Sequence, residues 1–270
     1  MATDILMIHD IVASEDRTRT SPWKSAISRS EFETFLKNRH ADDMSSLLTF
    51  DDGYASFISI ALPLLREHKA KACVFIATSF MDGSREPYED ALWKHINGSD
   101  KVDACGLGVF PCKRTTEKLV AYERIRLHLK TLSLSQRDAW MISLAGHPQP
   151  QNPADMLFLT AEEVQHLASE QLITIGSHAE SHTTLTSLSL TDAILEMRHS
   201  KARLEAVTGR SITDISYPYG ASNLAIRIAG FLIGYRRGFL ASRNRPRTAW
   251  LTPNMAIPRA DIRNVVPGIR

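Results

Sequence analysis

Apolar residues along this chain come in short runs that stop abruptly at polar or charged ones, with longer stretches of helical spacing between them. Ile5 to Ile8, Leu47 to Phe50, Cys73 to Ala77, Ile173 to Gly176 and Ile212 to Ser216 are too short and too apolar for surface helices, and read as buried strands. Ser30-Glu-Phe-Glu33 has the pattern of a capping box and opens a predicted helix with Phe32, Phe35 and Leu36 on its inner face. A second helix is predicted from about 55 to 69, kinked at Pro63. Thr160-Ala-Glu-Glu163 opens another, to about Gln171. A long one follows from about 190 to 207, closed by Gly209, and a shorter one lies near 221–229. Strands separated by helices of this length predict an α/β fold with a parallel sheet or barrel.

The rhythm breaks between about 82 and 158. Two helical patterns, roughly 117–130 and 135–144, are mixed with Gly, Pro and charged residues. Trp93, Cys105, Pro111 and the Pro148-Gln-Pro150 punctuation read as loops. The stretch is too long for an ordinary strand-to-helix loop. It is expected to be a mostly helical insertion in a single domain spanning 1–270. It would either face substrate as a cap or form a decorative or oligomer-forming excursion.

Composition narrows the class. With 270 residues, 43% hydrophobic and 23% charged, the chain can bury a full core. Net charge is only +2, but from Arg227 to Arg270 nine arginines face Asp261 alone. Such a run suits an anionic substrate, a phosphate-bearing lipid or peripheral contact with a membrane surface, or is simply a solvated face, and no nucleic-acid motif accompanies it. No segment reaches transmembrane length. The N-terminal residues lack a basic start and a leader-length apolar run, which points to a cytoplasmic protein. Three cysteines without CxxC spacing argue against a disulfide framework and a cysteine zinc site, and Cys73 reads as core.

The chemistry sits at strand ends. Asp51 and Asp52 follow the Leu47–Phe50 strand directly. Two adjacent carboxylates in a partly buried place need a cation or strong hydrogen bonds, although Asp-Asp-Gly alone would suit a turn. His178 and His182 follow the 173–176 strand, four residues apart. Asp52, His178 and His182 make up a three-ligand set that leaves a place for water on a divalent ion. Asp51 is then left beside it as general base. The sequence is not the His-Glu-x-x-His of zinc proteases, because Glu180 is not next to His178.

Thr49-Phe-Asp-Asp-Gly53, Ser177-His-Ala-Glu-Ser-His182 and Ser216-Tyr-Pro-Tyr-Gly220 resemble, in order, the first three motifs of the polysaccharide deacetylases, the NodB-homology or carbohydrate esterase family 4 group. The resemblance covers nearly the whole chain apart from the insertion. It implies a distorted (β/α) barrel of the NodB type and metal-dependent removal of N-acetyl groups from amino sugars. It also implies Asp51 as base, and Asp52, His178 and His182 as ligands of one divalent metal ion, zinc, with cobalt, nickel or iron as substitutes. The main-chain N–H of Tyr219 would help stabilise the oxyanion of the tetrahedral intermediate.

Three departures stand beside that likeness. The arginine that usually orients the catalytic aspartate is absent from the third motif, where Ser216 and Tyr217 stand; Arg259 in Ile-Pro-Arg-Ala-Asp is the candidate substitute. The fourth motif, with its Asp and Trp, has no counterpart. The usual late histidine is missing too, since none follows His199. Some members, similar to the poly-N-acetylglucosamine deacetylases of biofilm systems, take a histidine from an N-terminal strand instead. Leu6-Met-Ile-His9-Asp10 resembles that segment, and His9 would protonate the departing amine.

The expected substrate is an N-acetylated sugar, nucleotide- or lipid-linked, in cell-surface polysaccharide or glycolipid assembly. The alternatives are a deformylase or cyclic-amide hydrolase of the same fold, or a non-catalytic carbohydrate-binding relative. Tyr54 would line the site mouth or cover the strand end. Trp93 and Trp250 would stack on a sugar ring, or Trp93 would form a helix's buried face.

Overall fold

The structure is a computed structural model that describes residues 5–13, 26–38, 47–81, 83, 87–146 and 157–265. In chain order, β1 is Leu6–Ile8, β2 Asp10–Val12, β3 Ala26–Ser28, α1 Arg29–Asn38 and β4 Leu48–Phe50. A π-helical turn, Phe57–Ala61, then leads into α2, Leu62–Glu67, and β5, Ala72–Ile76. The middle of the chain holds α3, Tyr88–Asn97, the hairpin β6, Lys101–Asp103, with β7, Val109–Pro111, and then α4, Thr115–Leu129, and α5, Leu134–Ala145. There follow α6, Ala161–Ser169, β8, Ile173–Ser177, α7, Leu190–Thr208, β9, Asp214–Ser216, α8, Leu224–Ile233, β10, Arg237–Phe239, and β11, Ala260–Asp261.

Seven strands form one sheet in the order β10-β9-β8-β5-β4-β1-β11, and all its neighbours run parallel. The sheet is curled into the half-barrel of the expected (β/α) type. Its strands are buried almost throughout, as a parallel sheet covered by helices requires. The two edges are linked by one short segment. Ile257 makes a parallel bridge to Phe239 of β10, and Ala260 pairs with Leu6 of β1 three residues later. Residues 257–260 thus span the seam of the barrel, with Arg259 in the middle.

Several local expectations shift. The capping box at α1 is Ser28 with Glu31, not Ser30 with Glu33: Glu31 N donates to Ser28 Oγ at 3.2 Å and Ser28 N to Glu31 Oε2 at 2.6 Å. Glu33 pairs instead with Lys37, one turn on. The helix expected around Pro63 changes its hydrogen-bond pattern just before the proline, from a π-helical turn to α2. Pro63 sits in the first turn of α2, and the π-helical turn before it accommodates the missing donor.

Within the stretch expected to be an insertion, Leu92, Trp93, Ile96, Tyr122, Ile125 and Leu129 are buried in an apolar cluster of their own. The expected boundaries of that stretch near 82 and 158 fall on or beside residues outside the described set. Trp93 is not in a loop: it lies in α3, buried, edge-on to Tyr122 at 5.6 Å. Pro111 ends β7, and Cys105 lies in the hairpin turn. Cys73 is buried in β5, and none of the three cysteines is paired.

Candidate active site

The parallel ladders run on to Asp51 and His178. Asp51 N donates to Ile8 O at 2.9 Å, and His178 N donates to Ile76 O at 2.8 Å. Each is therefore held by the sheet's own hydrogen bonds at the C-terminal end of its strand, the end where sites collect in folds of this kind.

Beyond that edge the backbone turns sharply. Among the described residues, five non-glycine positions have positive φ, and four are here: Asp52 at 73°, Ala179 at 62°, His182 at 55° and Tyr219 at 58°. Each costs about 1–3 kcal/mol and persists only where its surroundings dictate it. Gly53 has φ 84°. Gly220 could not carry a side chain at all, since a Cβ there would lie 2.4 Å from the Ala241 nitrogen. The histidine turn is clamped by Glu196 of α7, which accepts from the main-chain N–H groups of Glu180 (3.1 Å) and Ser181 (2.9 Å) and from the Ser181 hydroxyl.

Asp52, His178 and His182 converge. Asp52 Oδ1 lies 3.3 Å from His178 Nε2 and 3.2 Å from His182 Nε2, and all three are buried. His178 Nδ1 lies 2.7 Å from the Ser216 carbonyl, which fixes the tautomer and turns the Nε2 lone pair toward Asp52. Three ligands at zinc bond lengths in a tetrahedral set stand about 3.3 Å apart. Both Asp52–histidine separations match this, and the three ligand atoms lie within 4.8 Å of one another, so the group could hold a divalent ion.

Asp51 has a different environment. Arg259 grips it with both arms, Nη1 to Oδ1 at 2.7 Å and Nη2 to Oδ2 at 2.6 Å. The same guanidinium donates to the Leu240 carbonyl, Thr49 Oγ1 and Ser216 Oγ, so its position is over-determined. Ser216 Oγ adds a bond to Asp51 Oδ2 at 3.2 Å. Burial pushes the Asp51 carboxyl upward, but the charges of Arg259 and His178 and the Arg259 hydrogen bonds outweigh it, holding its pKa at about 2. His178 shows the converse balance: burial opposes its protonation, and the Asp51 and Asp52 charges more than offset that, raising its pKa.

The remaining sequence candidates lie around this centre. His9 is half-buried and follows β1 at the level of Asp51, since Ile8 pairs with Phe50; its charge also lowers the Asp51 pKa. Tyr219 sets its ring 4.8 Å from that of His182. Tyr54 does not line a mouth. It is buried against Phe158, with its hydroxyl donating to Asp90 at 2.5 Å. Trp250 stands exposed.

Sequence reading missed the insertion's contribution. Glu89 and Asp90, in the first turn of α3, are buried and accept from the hydroxyls of Tyr219 (2.9 Å) and Tyr54. The insertion therefore binds both the Asp51-Asp52 loop and the Tyr219 loop. The two acids carried no spacing signal, because they read as an ordinary acidic first turn. Ser216 was noted only as standing where an arginine was expected, yet it serves both Asp51 and His178.

The polysaccharide deacetylase family profile matches residues 38–237. His9 and Arg259 both lie outside that match. No curated protein matches the chain. Solved structures share the fold at low identity. The Streptococcus pyogenes deacetylase PplD, in complex with acetate, is 14% identical with TM-score 0.54, over 99% of this chain and 97% of its own. IcaB from Ammonifex degensii is 14% identical with TM-score 0.56, over 97% and 92%. The BpsB deacetylase domain from Bordetella bronchiseptica is 16% identical with TM-score 0.51, over 96% and 95%. The profile covers most of the chain and includes the Asp51-Asp52 and His178–His182 loops, and on that ground the protein belongs to the polysaccharide deacetylase family.

Proposed function

We propose that this protein removes the N-acetyl group from an amino sugar by metal-dependent hydrolysis, with Asp52, His178 and His182 holding one divalent ion, zinc in the first instance. The observation that carries this reading is the pairing of a ligand-spaced triad with a second, separately neutralised carboxylate beside it. When bound, the ion would supply Lewis acidity toward the amide carbonyl and the attacking water.

The chain's own groups account for the rest. Asp51 stays ionised because Arg259 holds it so, and it is placed to take the proton from water. Arg259 acts through Asp51, as a positioning residue. The Tyr219 main-chain N–H, presented by a backbone turned to φ 58°, is assigned to the developing oxyanion. His9, beside Asp51, is assigned to protonate the departing amine. The substrate we propose is an N-acetylated sugar carried on a nucleotide or lipid. Arg236, Arg245 and Arg247 stay exposed for such a phosphate-bearing molecule. Arg227, Arg237, Arg259 and Arg263 instead bind Thr252, Asp214, Asp51 and Asp261 within the fold.

The test is metal content and acetate release on wild type, Asp51→Asn and the single alanine variants of the three ligands. Each ligand variant is expected to lose the metal. Asp51→Asn is expected to keep it and to lose activity by about 10²–10⁴-fold. Metal-free wild type after reconstitution would overturn the reading. Formate released in place of acetate from the matching substrate would reassign the acyl group.

A further inference from the structure

The C-terminal part of the fold carries an exposed surface of apolar and basic side chains. Between Asp214 and Asp261 the chain has no Asp or Glu, while it carries seven arginines and no lysine. Within this stretch α8 presents Ile228 (44% exposed), Phe231 (52%) and Leu232 (77%) along one outward stripe. Its opposite side, with Ile226, Ala229 and Gly230, is buried. Arg227 ties the 248–252 segment against this helix through Thr252 Oγ1 at 2.8 Å and Thr248 Oγ1. The same segment exposes Trp250 (76%) and Leu251 (47%).

Basic groups accompany this apolar surface. The Arg236 guanidinium lies 5.7 Å from the centre of the Phe231 ring, and Arg245 and Arg247 are exposed just before Trp250. Large apolar side chains, a tryptophan and arginines without any acidic neighbour in sequence suit the boundary between acyl chains and anionic headgroups. Two other occupants fit less well. A second copy meeting this face about a two-fold axis would set arginines of the same stretch against one another. A nucleic acid would leave Leu232 and Ile228 without an apolar partner. No described helix is long and apolar enough to cross a membrane, so contact would be peripheral.

We propose that the α8 stripe and the Trp250 segment seat the protein on an anionic phospholipid surface. This inference does not rest on the deacetylase reading, and none of these residues belongs to the metal or base machinery.

The experiment is co-sedimentation of the full chain with phosphatidylcholine vesicles, with and without an equal share of phosphatidylglycerol, at low and high salt. Binding to the anionic vesicles is expected, reduced by salt. Arg245→Gln/Arg247→Gln should weaken it by roughly 30-fold, equivalent to about 1 kcal/mol per basic residue near an anionic surface. Leu232→Ser should weaken it at both salt levels. Equal partition onto both vesicle types, or no binding to either, would overturn the proposal. So would a dimer in light scattering that Leu232→Ser dissociates, or duplex DNA bound as tightly as the vesicles.

Discussion

Asp51 and Asp52 are neighbours in sequence, similarly buried, and opposite in their surroundings. Asp52 faces two imidazole nitrogens at 3.2–3.3 Å, partners that can offer lone pairs to a cation. Asp51 faces a guanidinium fixed by the Leu240 carbonyl, Thr49 and Ser216. One half of the site has room in its charge balance for a metal, and the other is already neutralised. The backbone inverts at Asp52, with φ 73°, and sends the two carboxylates to different partners, a division that suits the proposed ligand and base roles.

The sharpest way to break this division is Arg259→Met. Removing one member of a buried pair leaves an uncompensated charge and is expected to cost about 3–5 kcal/mol in chemical denaturation at neutral pH. The pH dependence follows from the sign of the Asp51 shift. A carboxyl held at about 2 in the fold and near 4 in the unfolded chain contributes stability above pH 4. That contribution is lost as pH falls toward 2. Wild type should show this loss, whereas the Arg259→Met curve should lack it, because Asp51 then rises above the ordinary carboxylate range. An identical acid limb in both proteins would refute the Asp51–Arg259 coupling.

Ser216→Ala tests a residue that serves both halves. Its hydroxyl reaches Asp51 and Arg259, while only its main-chain carbonyl reaches His178. The expected cost is about 1 kcal/mol of stability, with metal affinity unchanged in a chelator competition. A large drop in metal affinity would show that the halves are not separate.

The smallest effect is expected where the insertion meets the site. Tyr219→Phe and Glu89→Ala each remove the same hydrogen bond and should each cost about 0.5–1.5 kcal/mol. The double variant should cost little more than the larger single loss. Additive losses would mean that the insertion does not hold the Tyr219 loop through this contact.

The legible parts of the fold were those where local pattern and burial coincide. Strand β5 is buried along its whole length and reads as an unbroken apolar run, while β4, β8 and β9 keep enough apolar residues between their polar ones to read as short buried strands. The α6 cap followed its sequence signature, with Thr160 accepting from Glu163 N. Helix α3 is only half legible, since Trp93 reads either as part of a loop or as a helix's buried face. Its buried face mixes Leu92, Trp93 and Ile96 with Glu89 and Asp90, and that mixture does not read as an apolar stripe. The α1 cap was misplaced by two residues because Ser28 and Ser30 each stand three before a glutamate, and only the tertiary entry of β3 selects between them.

The sequence by itself determined which atoms can bind and ionise: two adjacent carboxylates and two histidines four apart, each set directly after a buried strand. Those positions are local, so short-range order was enough to reveal them. The resemblance makes Arg259 a candidate partner of Asp51, but only tertiary structure brings the two together. Arg259 sits 208 residues away, on the segment that spans the barrel seam, and reaches the interior only because residues 257–260 contact both sheet edges. Tertiary structure also decided that Glu89 and Asp90 would hold the site's tyrosines. Neither outcome is written in any local pattern. Both arise because closing a curled parallel sheet and docking the α3 end bring distant polar groups out of water together, where each must find a partner.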